Sequence, residues 1–576
     1  MARRSLASIR PSPARLTRLR TAGLWRERTL PAALRATVAR QPGAALLVDG
    51  AVVLNAAGLL ARAEALASGL VGLGVGRGDV VAYQLPNWWE AAITLLGASL
   101  AGATVVPVVD ILRARELRSI LDETRPKVVV VAASHRNLDG AARVREALAP
   151  ETRSAKDSAT ALPLDLAAHG EASIRSDLPG WLAPTIVVAR QNDEVSPTTA
   201  GTVAFEDLLR TPARSDLPEP DPAQIAVVIY TSGSTAAPRG AMHSHETLDA
   251  ELRSLVEVHG LGPGDATLMP SPVGHISGVI HGILAPALLG TRAVFLDRWD
   301  PDQAVELIEA ERITYMIGVP TLLQQILDAP SRPQRDLSSL RLFSCGGARV
   351  PPELIRRARM ELPGLVAKRV YGSSEFPTIA TTTAEDALAR GGDTEGRAMP
   401  GVEIRICDEA GQTLPPGEEG EIRARGPDLF IGWVDPALDA ETLDPEGFLC
   451  TGDLGVLDGD GYLRVTGRVK DIIIRKGEKF SARELEDLLD LHPAVQEAAV
   501  IALPDSKTGE RACACLKLRP GAPKPSLADL ISFLRLHDLT PQKLPEQLAL
   551  VADFPRTPSG KIDKRRLRSQ LEGTCV

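Results

Sequence analysis

Residues 230–240, YTSGSTAAPRG, set small hydroxyl and glycine residues directly behind the apolar run IAVVI at 225–229. After a strand, such a loop lets backbone N–H groups and Ser/Thr hydroxyls converge on an anion, the chemistry of a triphosphate cradle. The Walker A spacing is not met, because Gly233 is followed by Ser234, Thr235, Ala236, Ala237, Pro238 and Arg239. That motif requires Gly, four residues, then Gly-Lys-Ser/Thr. Gly/Ser/Thr stretches are also ordinary linkers, so the loop alone leaves both readings open.

Further blocks follow in order: SCGGARV at 344–350, YGSSE at 371–375, TGD at 451–453, GRVKD at 467–471 and PRTPSGK at 555–561. Together with the loop they resemble the adenylate-forming superfamily of acyl-CoA synthetases, luciferases and nonribosomal-peptide adenylation domains, from about residue 25 to about residue 570. The resemblance implies that a carboxylate and ATP give an acyl-adenylate and pyrophosphate, after which a thiol attacks to give a thioester. A carboxylate is a poor acylating agent, and adenylation supplies the leaving group. The protein must suppress repulsion between carboxylate and triphosphate, hold the adenosine and later admit the thiol.

Roles follow by position. Thr231, Ser232, Gly233, Ser234 and Thr235 would cradle the β- and γ-phosphates, with Arg239 standing where most relatives have Lys and preserving the charge. Ala236 replaces the usual Gly and resists positive φ, which bears on turnover. Glu375 matches the carboxylate that coordinates Mg²⁺, a hard cation that prefers oxygen. Tyr371 would lie against adenine, while Gly346, Gly347 and Ala348 would let backbone approach the base and the acyl group. Asp453 matches the acceptor of the ribose hydroxyls, and Arg468 the arginine that supports ribose or phosphate.

Lys561 matches the lysine whose ammonium bridges the carboxylate and the α-phosphate. Lys470 matches a hinge about which the C-terminal domain exchanges an adenylating face for a thiol-accepting one. On that second face Gly477 would line the pantetheine tunnel of coenzyme A. Lys476 and Lys479 flank it, either attracting CoA phosphates or simply solvated.

The acid is less sharply marked. The block SPVGHISG lacks the Asp with which amino-acid-activating relatives hold an α-amino group, and Ile276 follows His275 where hydroxybenzoate-activating relatives carry Asn. An apolar acid remains, with His275 at the carboxylate end and Ile276, Val279, Val319 and 345–348 as candidate walls, each of which is otherwise ordinary core. PVGHISG, SCGGA, YGSSEFPT and DIIIRKGE are similar to synthetases for medium-chain or alicyclic acids. Two other functions stay open: a stand-alone acyl-AMP ligase loading a separate carrier protein, and a non-catalytic nucleotide-binding homologue. Gly477 favours CoA, and the set Glu375, Asp453, Arg468 and Lys561 favours catalysis. His243 and His245 have HxH spacing without a third ligand, so no metal site is assigned to them.

The elements that must carry these residues read as α/β. VVAYQL at 80–85 and 128–131 read as buried parallel strands, with a helix over 88–100 between them. The segment 255–289 carries helix and strand signals around His275, and 420–462 reads as a small β-rich subdomain. Leu485, Leu488 and Leu489 share a helix face, with Ser481 and Glu484 spaced as a capping box. The expected organisation is an N-terminal extension (1–22), an AMP-binding domain of mixed and parallel sheets with helices (23–468) and a small mobile α+β C-terminal domain (469–576). The stretch 150–176 reads as an inserted surface loop.

Composition agrees. The chain has 576 residues, beyond the usual reach of one core, and 44% of them are hydrophobic. A net charge of -8 argues against nucleic acid as partner, and no apolar run is long enough for a membrane span. The cysteines (345, 407, 450, 513, 515 and 575) lack zinc or CxxC spacing, which points to a reducing, cytoplasmic setting. The first twenty residues, rich in Arg and Ser and without acids, fit either an organellar transit peptide or a frayed basic terminus.

Overall fold

A computed structural model describes residues 6–136, 138–149, 184–190, 201–231, 238–475, 478–505, 509–537, 539–557 and 561–572. The chain forms two compact units, one of Met1–Arg18, Arg26–Glu246 and Met269–Asp297, the other of Leu19–Trp25, Thr247–Leu268 and Arg298–Val576. The segment 150–176 lies outside the described residues.

In the first unit, neighbouring strands follow the order Arg239–Ser244, Ile225–Thr231, Thr104–Pro107, Val80–Gln84, Val128–Ala132, Thr185–Ala189 and Thr202–Ala204. All pairs are parallel except the first. Val80–Gln84 and Val128–Ala132 are buried at every position, which is why they read as unbroken apolar runs rather than as alternation. Each fully buried Val contributes roughly 1.5–3 kcal/mol. The helix between them spans Trp89–Leu100, with Trp88 extended as its N-cap. Among the described residues of the amino-terminal segment, Leu6 is buried and Arg10 Nε lies 3.1 Å from Asp221.

In the second unit, Tyr315–Gly318, Leu342–Gly346 and Val366–Tyr371 run parallel, edged by antiparallel Ala380–Thr381. An antiparallel sheet follows, ordered Glu403–Cys407, Glu419–Arg425, Leu449–Leu457 and Leu463–Arg468, in the region read as β-rich. Beyond Arg468, Glu478–Ser481, Ile472–Arg475, Gly509–Leu518 and Val495–Asp505 make a further sheet with Gln547–Leu550 beside it. The helix Ala482–Leu489 packs Leu485 and Leu489 into the core of this last part. Ser481 caps it by accepting from the Arg483 N–H, but Glu484 does not close a capping box. It is drawn instead to Lys543, whose ammonium stands 2.6 Å from its carboxylate. Among the described residues no helix is long and apolar enough to cross a membrane.

Candidate active site

The first unit holds the ends of the glycine-rich loop. Ile225–Thr231 and Arg239–Ser244 pair antiparallel, with Thr231 opposite Arg239. The chain therefore leaves and re-enters the sheet at one point, and both residues are half-buried there. Tyr230, one position earlier, donates its hydroxyl to Glu123 at 2.5 Å and anchors the exit. Ser232, Gly233, Ser234, Thr235 and Ala236 lie outside the described residues, as does Gly477.

His275 sits in a turn whose glycines are fixed by close approach. A Cβ on Gly274 would come 2.5 Å from the Val109 nitrogen, and one on Gly278 only 2.1 Å from the Pro272 oxygen. The half-buried imidazole has its Nδ1 3.1 Å from Ser277 Oγ. Gly278–Leu284 then winds as a π-helix, a rare wide turn that is frequent at functional sites. Ile276 and Val279 are buried.

A crevice of about 210 Å³ opens at the carboxyl ends of Val80–Gln84 and Val128–Ala132, lined among others by Gln84, Asp110, Arg113, His135, Arg136 and Arg143. The chain passes from Val80–Gln84 to Thr104–Pro107 on one side, then returns to Val128–Ala132 on the other. That reversal is the switch point at which open parallel sheets bind ligands. Arg143 spends its donors on the backbone oxygens of Asp110 (2.7 Å) and Leu112 (3.2 Å), and its pKa is lowered by burial and by neighbouring Arg113. Sequence reasoning missed this cluster, because Arg113 precedes the strand Val128–Ala132 while Arg136 and Arg143 follow it, and no local spacing links them.

The second unit gathers the catalytic candidates. Asp453, on Leu449–Leu457, lies opposite Arg468 on Leu463–Arg468 and accepts from its Nε at 2.7 Å. The Tyr371 hydroxyl donates to the other carboxylate oxygen at 2.8 Å. Burial first, and then the Asp453 charge, push the Tyr371 pKa well up, so the phenol stays protonated as a donor. Gly372 can follow because a Cβ there would meet the Pro377 oxygen at 2.0 Å; the turn that presents Glu375 admits no side chain at that point. Glu375 itself is held by its backbone oxygen, which accepts from Phe430 N–H at 2.7 Å.

Lys561 joins this group. Its backbone oxygen accepts from Thr557 N–H at 2.8 Å, closing a short hairpin in which Arg556 bridges Ile562. Its pKa is lowered, chiefly by desolvation and then by Arg468, while Asp453 and Glu375 pull the other way. The residue retains solvent exposure, so that desolvation is partial. The charges acting on the ammonium are thus the three side chains assigned to ribose, phosphate and magnesium.

Gly346 and Gly347 close the strand Leu342–Gly346, where Gly347 has φ +72° and lies exposed with Ala348. Lys470 lies exposed in the turn Val469–Asp471. Two ion-pair groups went unread in the sequence. Arg349 binds Asp487 at 2.5 Å and Asp490, and buried Glu395 joins Arg369 (3.3 Å) to Arg483 (3.5 Å). The available signal was Arg349 directly after SCGGA, facing the acid-rich helix end at 486–490. Glu375, whose charge acts on Lys561, carries a hard carboxylate oxygen and fits a magnesium ligand.

Comparison with known proteins identifies the family. The AMP-binding enzyme family matches residues 34–434, and the AMP-binding enzyme C-terminal domain matches 484–561. The medium-chain fatty-acid–CoA ligase of Escherichia coli K12 is 34% identical over 555 residues, covering 96% of this chain and 92% of that protein. The mitochondrial medium-chain acyl-CoA ligase ACSF2 of Macaca fascicularis is 30% identical, covering 95% and 87%. The crystal structure of ATP-bound MatB from Rhodopseudomonas palustris superposes with a TM-score of 0.80 at 26% identity, covering 95% of this chain and 99% of that one. With the family matched across most of its length, the chain belongs to the AMP-binding family of adenylate-forming enzymes.

Proposed function

We propose that this enzyme is an ATP-dependent acid:CoA ligase that activates an apolar medium-chain or alicyclic carboxylic acid. The observation that carries the reading is the hydrogen-bonded set of Tyr371, Asp453 and Arg468, whose charges, with that of Glu375, act on Lys561. A carboxylate oxygen of the acid attacks the α-phosphorus of ATP as the bond to pyrophosphate breaks. Lys561 offers positive charge to both reacting anions, so their repulsion falls as the transition state forms. Asp453, aligned by Tyr371 and Arg468, accepts the ribose hydroxyls. Glu375 would hold a magnesium ion, which when bound would supply further charge to the triphosphate.

The thiol of CoA then attacks the acyl carbon and AMP leaves. Lys470 is the hinge for that step, with the domain boundary at 468/469 and 1–22 as an extension to the AMP-binding domain. The arginine crevice of the first unit suits the phosphates of CoA, since guanidinium groups bind phosphate through paired N–H donors. Thr231 and Arg239 hold the ends of the phosphate loop, and His275 with Ile276 marks the acid end.

The test is mass spectrometry of the purified protein with ATP, Mg²⁺, CoA and a panel of aliphatic, alicyclic and aromatic acids, following AMP and acyl-CoA together. Acyl-CoA from medium-chain or alicyclic acids is the expected product. Acyl-adenylate without acyl-CoA would transfer the assignment to carrier loading, and neither product across the panel would reject a ligase.

A further inference from the structure

The ion pairs of Arg349 and those of Glu395 meet in one carboxylate. Asp487 Oδ1 takes Arg349 Nε at 2.5 Å, and its Oδ2 lies 4.0 Å from Arg483 Nε. Arg349 also binds Asp490, while Arg483 and Arg369 share Glu395 Oε1 at 3.5 and 3.3 Å. Guanidinium groups and carboxylates therefore alternate along one unbroken chain: Asp490, Arg349, Asp487, Arg483, Glu395, Arg369.

Its members come from distant segments. Arg349 follows the SCGGA turn, and Arg369 lies on Val366–Tyr371 two positions before Tyr371. Glu395 Oε2 accepts the Val465 N–H at 2.8 Å, on the strand that ends in Arg468. Arg483, Asp487 and Asp490 stand at i, i+4 and i+7, along one face of the helix Ala482–Leu489 and its C-cap. From the same helix Glu486 binds Lys564 at 2.9 Å, and Lys564 also reaches Asp471 at 3.1 Å. Lys564 is three residues past Lys561. The strands that carry Tyr371 and Arg468 are thus coupled through charge to the segment that carries Lys561. The links from Arg349 to Asp487 and Asp490, and from Glu395 to Arg483, all cross the 468/469 boundary proposed above.

Stability alone does not account for such a chain. Arg369 and Glu395 are buried, and Arg349 and Arg483 are nearly so. Loss of hydration offsets much of the attraction in pairs of this kind, and their best-attested use is to fix one arrangement against its alternatives. Arg349 Nη2, Arg369 Nε and Arg483 Nε are buried and meet no hydrogen-bond acceptor among the described residues. Each such donor costs free energy, so the charges hold the helix without being saturated by it. That balance suits a contact that must let go when the C-terminal domain turns about Lys470. We propose that this ion-pair chain is a releasable clasp that holds the Lys561 segment in place for adenylation and opens for thioester formation. Its members are positioning residues, and the proposal rests on the readings of Lys561 and Lys470 given above.

The test uses the full-length enzyme with Leu388→Cys and Leu536→Cys, two exposed positions on either side of the boundary. Cys450→Ser and Cys575→Ser leave only buried native thiols, which stay unlabelled. The distance distribution between spin labels at the two positions reads the arrangement, in the free enzyme and with Mg·ATP. Arg483→Ala should raise the population of a second distance roughly tenfold relative to the first. ATP–pyrophosphate exchange with octanoate should fall roughly tenfold in that variant, while octanoyl-CoA formation from supplied octanoyl-adenylate changes less than about twofold. Glu395→Gln keeps an acceptor for Val465 and should shift the distances likewise, and the double variant should shift them no further than either single one. If Arg483→Ala does not fold, Asp487→Asn, at a half-exposed position, should act in the same direction. Unchanged distances overturn the clasp, as do additive shifts in the double variant or equal losses in the two half-reactions. A shifted distance with undiminished exchange upholds the clasp and overturns Lys561 as the adenylating charge. If wild type does not turn over octanoate, the distances alone decide.

Discussion

Arg468 and Asp453 stand opposite each other on neighbouring antiparallel strands, with Nε 2.7 Å from Oδ1. This cross-strand pair, together with Tyr371 on Oδ2, fixes the plane of the Asp453 carboxylate before any nucleotide arrives. Asp453→Asn replaces one acceptor oxygen by a donor and should raise the KM for ATP by tenfold or more, since a hydrogen bond to a charged group contributes about 1.5–3 kcal/mol. Tyr371→Phe removes only an orienting donor and should raise it by about fivefold. Initial rates against ATP concentration check both, and equal effects would mean that the Tyr371 hydroxyl itself binds the nucleotide rather than only orienting Asp453.

Lys561→Ala should lower acyl-adenylate formation by about 10² to 10³, the cost of losing one preorganised charge donor. Thioester formation from supplied acyl-adenylate should be spared. The lowered Lys561 pKa adds a pH signature. The charged form is the active one, so ATP–pyrophosphate exchange should decline with rising pH at a midpoint below the ordinary lysine value of 10.5. Exchange unchanged in the alanine variant would remove Lys561 from the chemistry.

Much of this was legible in the sequence, for a physical reason. Tight turns and hairpins demand particular residue types locally, so the strand at 225–231 and the blocks YGSSE, TGD and GRVKD could be read where they stand, and Tyr371, Asp453 and Arg468 from those three blocks are hydrogen-bonded together. The strands at 80–84 and 128–132 were legible because burial on both faces leaves an unbroken apolar run. What failed depends on partners distant in sequence. Glu484 has the spacing of a capping box, yet Lys543, 59 residues away, outcompetes the local backbone for its carboxylate. Glu251 looks like a solvated helix acid until the fold brings Thr378 against it. Arg113, Arg136 and Arg143 become a cluster only where the sheet reverses direction.

Arg349 ties the SCGGA turn to the helix end that carries Asp487 and Asp490. Burial raises the Asp490 pKa to about 6, against the pull of Arg349, so removing the guanidinium leaves a buried acid with no compensating charge. Arg349→Ala should weaken the placement of the part of the chain that bears Lys561. Adenylation should fall roughly tenfold, and thioester formation from supplied acyl-adenylate should change less than about twofold. Equal losses in the two half-reactions would assign Arg349 to general stability instead.

The arginine crevice makes a prediction for the second half-reaction. Arg113→Ala with Arg136→Ala should raise the KM for CoA by roughly tenfold and leave adenylation unchanged, because two phosphate-binding charges are removed and no residue assigned to adenylation is altered. Added salt should narrow the difference between variant and wild type as it screens the remaining attraction. A CoA KM equal to that of wild type would dismiss the crevice as a CoA site.

Two buried histidines set the acid limit of the fold. His245 accepts the Leu30 N–H at its Nδ1, 3.3 Å away, and burial lowers its pKa to about 3. Burial likewise lowers that of His281 to about 4. Both are neutral in folded and unfolded chains above the ordinary value of 6.5, so neither affects stability there. Below it the unfolded chain takes up protons that the folded chain refuses, and stability falls by roughly 1.4 kcal/mol per pH unit for each histidine. Glu251 and Asp490, with raised pKa values, act in the opposite sense, gaining stability on acidification, so the comparison must be made between variants. Urea unfolding at pH 7.5 and 5.5 should show His245→Gln losing about 1.4 kcal/mol less than wild type over that interval. An identical loss in the two proteins would mean that His245 gains a proton in the folded state and is not held neutral by its burial.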